Sequence, residues 1–278
     1  MQQKTFQGFG HPGFHTVAYT EWGSDTSQPP IMCVHGLTRN GRDFDWLAEK
    51  LQATRRVFCP DMPGRGKSDD LTDPAFYSYP QYANDMAILM AKTDSKQVDW
   101  VGTSMGGLLG MLVASLPNNS IRRLVMNDVG PYIPRANMKR IADYVSMPTS
   151  FVDLDQLERH IRTIYAPFGI KRDEDWKKLA STSARKLPDG KLTLAHDTAI
   201  AKNFSALEAD VDFWDIYDKV KCPTLVIRGK DSDILSSETA QQMTQRGPKA
   251  KIVELPGVGH APALMDADQI KLIADFLA

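Results

Sequence analysis

The sequence is short of cysteine, of net charge and of long apolar runs, and each shortage closes off a class of function. Only three cysteines occur among 278 residues: Cys33, Cys59 and Cys222. An odd, scattered set does not make a disulfide framework. None has a second cysteine or a histidine at metal-ligand spacing, so no metal site is expected. Cys33 and Cys59 fall inside apolar runs and Cys222 opens one, the placement of buried, reduced thiols in a cytoplasmic protein. Lys and Arg number 33 against 34 Asp and Glu, a formal net charge of -1. Such a balance gives no electrostatic case for nucleic acid or for an anionic membrane. No stretch approaches the roughly 18 continuous apolar residues of a membrane helix. The opening Met1-Gln2-Gln3-Lys4-Thr5-Phe6-Gln7-Gly8 has no apolar signal region, and the expected location is the cytoplasm.

What is present is ordinary in amount and ordered in pattern. Hydrophobic residues make up 42% and charged residues 24%, as in a soluble globular chain with one large α/β domain or a core plus an insertion. Short apolar runs alternate with helical patterns, the signature of a mostly parallel sheet flanked by helices. The runs Thr16–Trp22, Ile31–Val34, Arg56–Cys59, Val98–Val101, Leu124–Asn127, Thr224–Arg228 and Lys251–Leu255 read as strands. Asp43–Ala53, Tyr79–Thr93, Ser104–Leu116, Ser237–Arg246 and Pro262–Leu277 read as helices. In such sheets ligands bind at the carboxyl ends of the strands.

The alternation breaks between about Pro131 and Tyr217. Leu154, Leu157, Ile161, Ile164 and Tyr165 share one helical face by spacing, and so do Met138, Ile141, Tyr144 and Val145. The expectation is an all-helical cap over the strand ends. It divides the chain into a core of residues 1–130 and 218–278 and a cap of residues 131–217.

The most informative stretch is Gly102-Thr103-Ser104-Met105-Gly106. An apolar strand precedes it and an apolar helix follows, so a serine sits on a sharp strand-to-helix turn. Its backbone there is strained, and only glycine-sized neighbours let strand and helix approach. The plain alternative is a serine that caps a helix.

The order of motifs decides between the two. His35-Gly36 comes first, then Asp61-Met62-Pro63-Gly64-Arg65-Gly66-Lys67-Ser68, then the serine turn, then Gly259-His260 near the end. This resembles the α/β-hydrolase superfamily over nearly the whole chain, with the cap the least similar part. The resemblance implies Ser104 as nucleophile and His260, in a loop after the last strand, as its base. It implies the backbone amides of Leu37 and Met105 as an oxyanion hole. His35 then reads as a structural histidine that shapes the loop. His11, His15, His160 and His196 lie in the N-terminal segment or the cap. The glycines of Asp61–Ser68 lack a phosphate-binding signature and read as a tight strand exit. Arg39, just past the oxyanion loop, can bind a substrate carboxylate or be a solvated loop arginine, and the second reading is preferred.

The triad acid departs from the common pattern. In many family members it lies three residues after the glycine that ends the penultimate strand. Here that position, counted from Gly229, is Ser232, with Asp231 and Asp233 beside it. Asp128 ends the strand after the nucleophile's helix, as in some haloalkane dehalogenases. Asp128 ranks first, Asp233 second and Asp231 third.

The implied activity is hydrolysis of carboxylic esters with short to medium acyl groups, with a small-molecule ester as partner and no cofactor. Serine at position 104 argues against the dehalogenases and epoxide hydrolases of the same fold, which use aspartate. A carbon–carbon bond, enol-lactone or amide hydrolase would use the same triad. A non-catalytic ligand receptor is the alternative of another class. Monomer and dimer both remain open. The cap residues Tyr132, Met138, Tyr144, Met147, Phe151, Tyr165, Phe168, Trp176, Phe204, Phe213 and Trp214 are expected to divide between the cap's own core and an apolar cleft.

Overall fold

A hairpin opens the chain: β1 (Gln2–Gly10) pairs antiparallel with β2 (Gly13–Trp22). The computed structural model describes residues 1–10, 13–25, 27–145, 147, 149–202 and 209–278, without the side chains of 140 and 142–144. His11 and Phe204 therefore lie outside the described residues, as does the side chain of Tyr144. The chain continues through β3 (Ile31–Val34), α1 (Asp45–Leu51), β4 (Val57–Pro60), α2 (Tyr79–Ala91), β5 (Val98–Thr103), α3 (Met105–Ser115) and β6 (Ile121–Asn127). Next come β7 (Tyr132–Ile133), α4 (Arg135–Val145), α5 (Leu154–Ile164), α6 (Asp173–Ser183), β8 (Ala184–Lys186), β9 (Leu192–Leu194), β10 (Val211–Asp212) and α7 (Trp214–Tyr217). It ends with β11 (Thr224–Gly229), α8 (Ser237–Met243), β12 (Lys251–Leu255) and α9 (Ala267–Leu277).

Eight strands form one sheet in the order β1-β2-β4-β3-β5-β6-β11-β12, parallel from β4 to β12. β3 and β4 are buried at every position, as strands covered on both faces must be. Alternation sends Met32 and Val34 into the core beneath α2 and α3, and Ile31 and Cys33 into the core beneath α1 and α9. The sheet order reverses between β3 and β5. A crevice therefore opens where their carboxyl ends diverge, and the loops at residues 35–37 and 104 lie there.

Three expectations need correcting. β1 is a strand where none was expected, because only Phe6 and Gly8 along it are buried and the apolar alternation is faint. The last helix starts at Ala267, not Pro262, because Leu264 takes a φ of 58°, which a right-handed helix does not admit. The segment between β6 and β11 is not all helix. β8 pairs with β9, and β10 reaches back to β7. Leu157, Ile161 and Tyr165 pack as their spacing implies, in a cluster with Phe151, Trp176, Leu179 and Met265, whereas Leu154, expected on the same face, is exposed. Among the described residues, no helix is long and apolar enough to cross a membrane.

Candidate active site

Ser104 occupies the turn between β5 and α3 with φ 50° and ψ -115°. A side chain at Gly102 would put its Cβ 2.2 Å from the Gly106 carbonyl oxygen, and one at Gly106 would stand 2.0 Å from that of Val34. The two glycines thus let α3 fold back onto β5 and β3, which keeps the serine in a conformation that its Cβ disfavours. The Ser104 amide donates to the Asn127 carbonyl at 2.9 Å, which ties the turn to β6.

The loop after β12 brings His260 to this turn. Its Nε2 lies 2.9 Å from Ser104 Oγ and its Nδ1 2.8 Å from Asp128 Oδ2. The Asn127 side chain donates to the Pro262 carbonyl at 2.8 Å and braces the same loop. Asp128 is fully buried at the end of β6, and its carboxylate has three donors. Besides His260, the Gly229 amide donates to Oδ1 at 2.8 Å and the Ser232 hydroxyl to Oδ2 at 2.6 Å. A carboxylate only accepts, so this contact places the imidazole proton on Nδ1 and leaves Nε2 free to accept from the serine. Of the three acids weighed from the sequence, Asp128 is the one the structure brings to His260. Asp231 and Asp233 are exposed at the mouth of the cavity. As a contributor to the site, Ser232 carries no signal in the sequence, because a serine beside two aspartates has no evident role until Asp128 is placed opposite it.

Leu37 and Met105 line the same cavity, and neither backbone amide has an acceptor among the described residues. His35 sets the orientation of the first. Its Nε2 accepts from the Met62 amide at 2.9 Å, so Nδ1 carries the proton and donates to the Gly36 carbonyl at 2.6 Å. That carbonyl and the Leu37 N–H belong to one peptide plane and point oppositely, so anchoring the one aims the other. His35 is fully buried, and burial pushes its pKa down to about 3.

Arg65 also supports the loop. Its side chain is fully buried and donates to the Leu37 carbonyl at 2.8 Å, the Pro63 carbonyl at 2.7 Å and the Tyr82 hydroxyl at 2.7 Å. Asp61 accepts from the Gly41 and Lys67 amides, so its carboxylate closes the Asp61–Ser68 turn and ties it to Gly41.

Arg39 corrects the preferred reading of a solvated arginine. It is buried, with Nε and Nη2 donating to the Asp43 carboxylate at 2.9 and 2.6 Å and Nη1 to Ser183 at 2.9 Å. Its guanidinium stacks 4.8 Å from the centre of the Tyr165 ring. Arg39 does line the cavity, but Asp43 already balances its charge.

The cavity has a volume of about 430 Å³ and lies between the sheet edge and the 131–217 segment. Met138, Tyr165 and Phe168 come to its wall, and Phe213 lines a neighbouring cavity. Phe151 and Trp176 are core residues, and Met147 is exposed. Tyr132 bonds Asp210 through its hydroxyl, and Trp214 packs edge-on against Tyr217. Of the remaining described histidines, His15 pairs with Asp85 at 3.1 Å and His160 packs on Phe151. His196 is held below its usual pKa, at about 4, chiefly by burial.

A family model described as the alpha/beta hydrolase fold matches residues 29–267. Over 273 residues the chain is 40% identical to the 3-hydroxybutyrate-oligomer hydrolase of Cupriavidus necator, covering 95% of this chain and 93% of that protein. It is 25% identical over 261 residues to a pimeloyl-[acyl-carrier protein] methyl ester esterase of Xanthomonas campestris, covering 87% of this chain and 92% of that one. The crystal structure of an alpha/beta hydrolase from Novosphingobium aromaticivorans superposes with a TM-score of 0.88 at 34% identity, over 99% of this chain and 97% of the other.

Proposed function

The chain belongs to the α/β-hydrolase family, and we propose that it cleaves carboxylic esters of short acids through an acyl-enzyme on Ser104. The observation that carries this reading is the run of hydrogen bonds from Ser104 through His260 to Asp128. Ser104 Oγ attacks the ester carbonyl carbon, and its proton passes to His260 Nε2. The carbonyl π electrons move to oxygen, which faces the Leu37 and Met105 amides. Each such donor lowers the barrier by roughly 3 kcal/mol. The intermediate collapses, the carbon–oxygen bond breaks, and the alcohol leaves with the proton from His260. Water then attacks the acyl-enzyme as His260 takes its proton. The acid departs, and Ser104 regains its hydrogen. Residues 131–217 act as the cap that closes the cleft.

Likeness to a 3-hydroxybutyrate-oligomer hydrolase over nearly both whole chains makes short oligoesters of hydroxy acids the first substrates to try. A carbon–carbon bond hydrolase acting on a dicarbonyl acid would benefit from a free cation in the cleft, and Arg39 is already paired with Asp43. The test is steady-state turnover of 3-hydroxybutyrate dimer and trimer and of p-nitrophenyl butyrate. Sustained hydrolysis that disappears in Ser104→Ala supports the reading. No turnover of any ester, or a single slow burst, contradicts it.

A further inference from the structure

We infer that the Tyr79 hydroxyl selects esters whose acyl chain carries an oxygen, by bonding that oxygen at the junction of the Ser104 cavity with a second, apolar one. The inference deepens the ester-hydrolase reading and rests on it. The second cavity has a volume of about 320 Å³. It shares Tyr79, Met105, Leu108, Ile133 and Met138 with the cavity that holds Ser104. Four of these five side chains offer only carbon and sulfur. The fifth brings a hydroxyl, and that hydroxyl has no hydrogen-bond partner among the described residues.

The other hydroxyls of the second cavity do not fill this role. Tyr77 donates to Asp197 at 2.7 Å and accepts from the Leu71 amide at 2.8 Å. Tyr82 accepts from Arg65 at 2.7 Å. Ser78 lines the second cavity alone, whereas Tyr79 faces both. The Tyr79 ring is held edge-on by Tyr82 and by Phe213, with centroids 6.4 and 6.5 Å away, so the side chain is fixed in place before a ligand arrives. Burial raises its pKa, so the group is a neutral phenol that can donate and accept.

The discrimination follows from what an occupant does to that hydroxyl. A plain alkyl chain expels its water and returns no partner, which leaves a polar group stranded. A chain with a hydroxyl or a second ester near the scissile carbonyl supplies the partner. Sites built to bond a substrate oxygen discriminate strongly against the analogue that lacks it.

The test compares p-nitrophenyl 3-hydroxybutyrate with p-nitrophenyl butyrate in the wild type and in Tyr79→Phe, which keeps the ring and loses one oxygen. The kcat/KM ratio of the first ester to the second should fall by about tenfold in the variant. A purely structural Tyr79 would move both esters alike, and an unchanged ratio overturns the inference. A second arm measures binding of 3-hydroxybutyrate dimer by calorimetry to Ser104→Ala and to Ser104→Ala combined with Tyr79→Phe. The dimer should bind about tenfold more weakly to the double variant, and equal binding overturns the inference. If the wild type cleaves neither ester, the ester reading fails by itself, and the calorimetric arm still decides the role of Tyr79.

Discussion

At the scale of single residues, the carboxylate that meets His260 comes from a place where sequence spacing favours no position outright. Counting from Gly229 leads to Ser232, and the structure shows why a serine can stand there. Its hydroxyl donates to Asp128, whose carboxylate reaches the same space from β6. If Asp128 orients His260, Asp128→Asn should lower turnover by roughly four orders of magnitude. Ser232→Ala removes one of three donors to that carboxylate and should cost about tenfold. Asp233→Asn should stay near wild type. Parallel assays check the ranking, and a larger loss in Asp233→Asn than in Asp128→Asn reverses it. Ser104 and His260 were legible because glycine spacing and chain order mark them. Ser232 was not, because its partner Asp128 lies 104 positions away in sequence, and Arg65 and Tyr79 were not, because no motif marks them as site residues.

His35 makes a second prediction at this scale, in stability. Its pKa is depressed in the folded chain to about 3, and an unfolded histidine titrates near the ordinary value of 6.5. Between those values the unfolded state binds the extra proton, so stability falls as pH drops through this window and is fully present above it. By pH 5 the loss from this one group is about 2 kcal/mol. The urea midpoint should therefore fall between pH 7 and pH 5, and fall less in His35→Gln. Equal falls in the two proteins would place the acid sensitivity elsewhere.

At the scale of elements, the turn at Ser104 works through backbone contact. Gly106→Ala would drive a Cβ into the Val34 carbonyl at the end of β3, a strand buried in the middle of the sheet. It should cost several times more stability than Gly190→Ala. Gly190 has a positive φ of 87°, unlike Gly106 inside α3, but a Cβ there meets nothing within 4 Å, so only the conformational cost of about 1 kcal/mol applies. Urea unfolding of the two variants measures the difference, and equal destabilisation would contradict the close-approach argument. β3, β5, β6 and β11 were readable as short apolar runs because strands buried on both faces need little else. β1 was not, since a sheet-edge strand with two buried positions carries almost no hydrophobic period. The late start of α9 was hidden as well. Nothing in the local sequence shows that Leu264 must turn left-handed to bring the His260 loop past β6.

At the scale of the whole molecule, the sheet order that reverses between β3 and β5 opens the crevice, and residues of the segment after β6, among them Met138, Tyr165 and Phe168, line its wall. The short strands within that segment escaped the sequence because two- and three-residue pairings have no periodicity to read. A cap that closes the cleft, as proposed above, predicts selectivity by chain length. The two cavities, about 430 and 320 Å³, suit short acyl groups better than lipid tails. Specificity constants should fall from butyryl to palmitoyl p-nitrophenyl esters, and faster cleavage of the longer chain would contradict a closed cleft.

The central claim is that hydrolysis runs through an acyl group carried by Ser104, and acyl trapping tests it most directly. The protein is mixed with p-nitrophenyl butyrate, quenched in acid during turnover and digested, and its peptides are weighed. The account predicts a butyryl group on the peptide that contains Ser104, at one site per chain and absent from Ser104→Ala, which has lost turnover. Hydrolysis that persists in Ser104→Ala, or an acyl group carried on another residue during turnover, would contradict it.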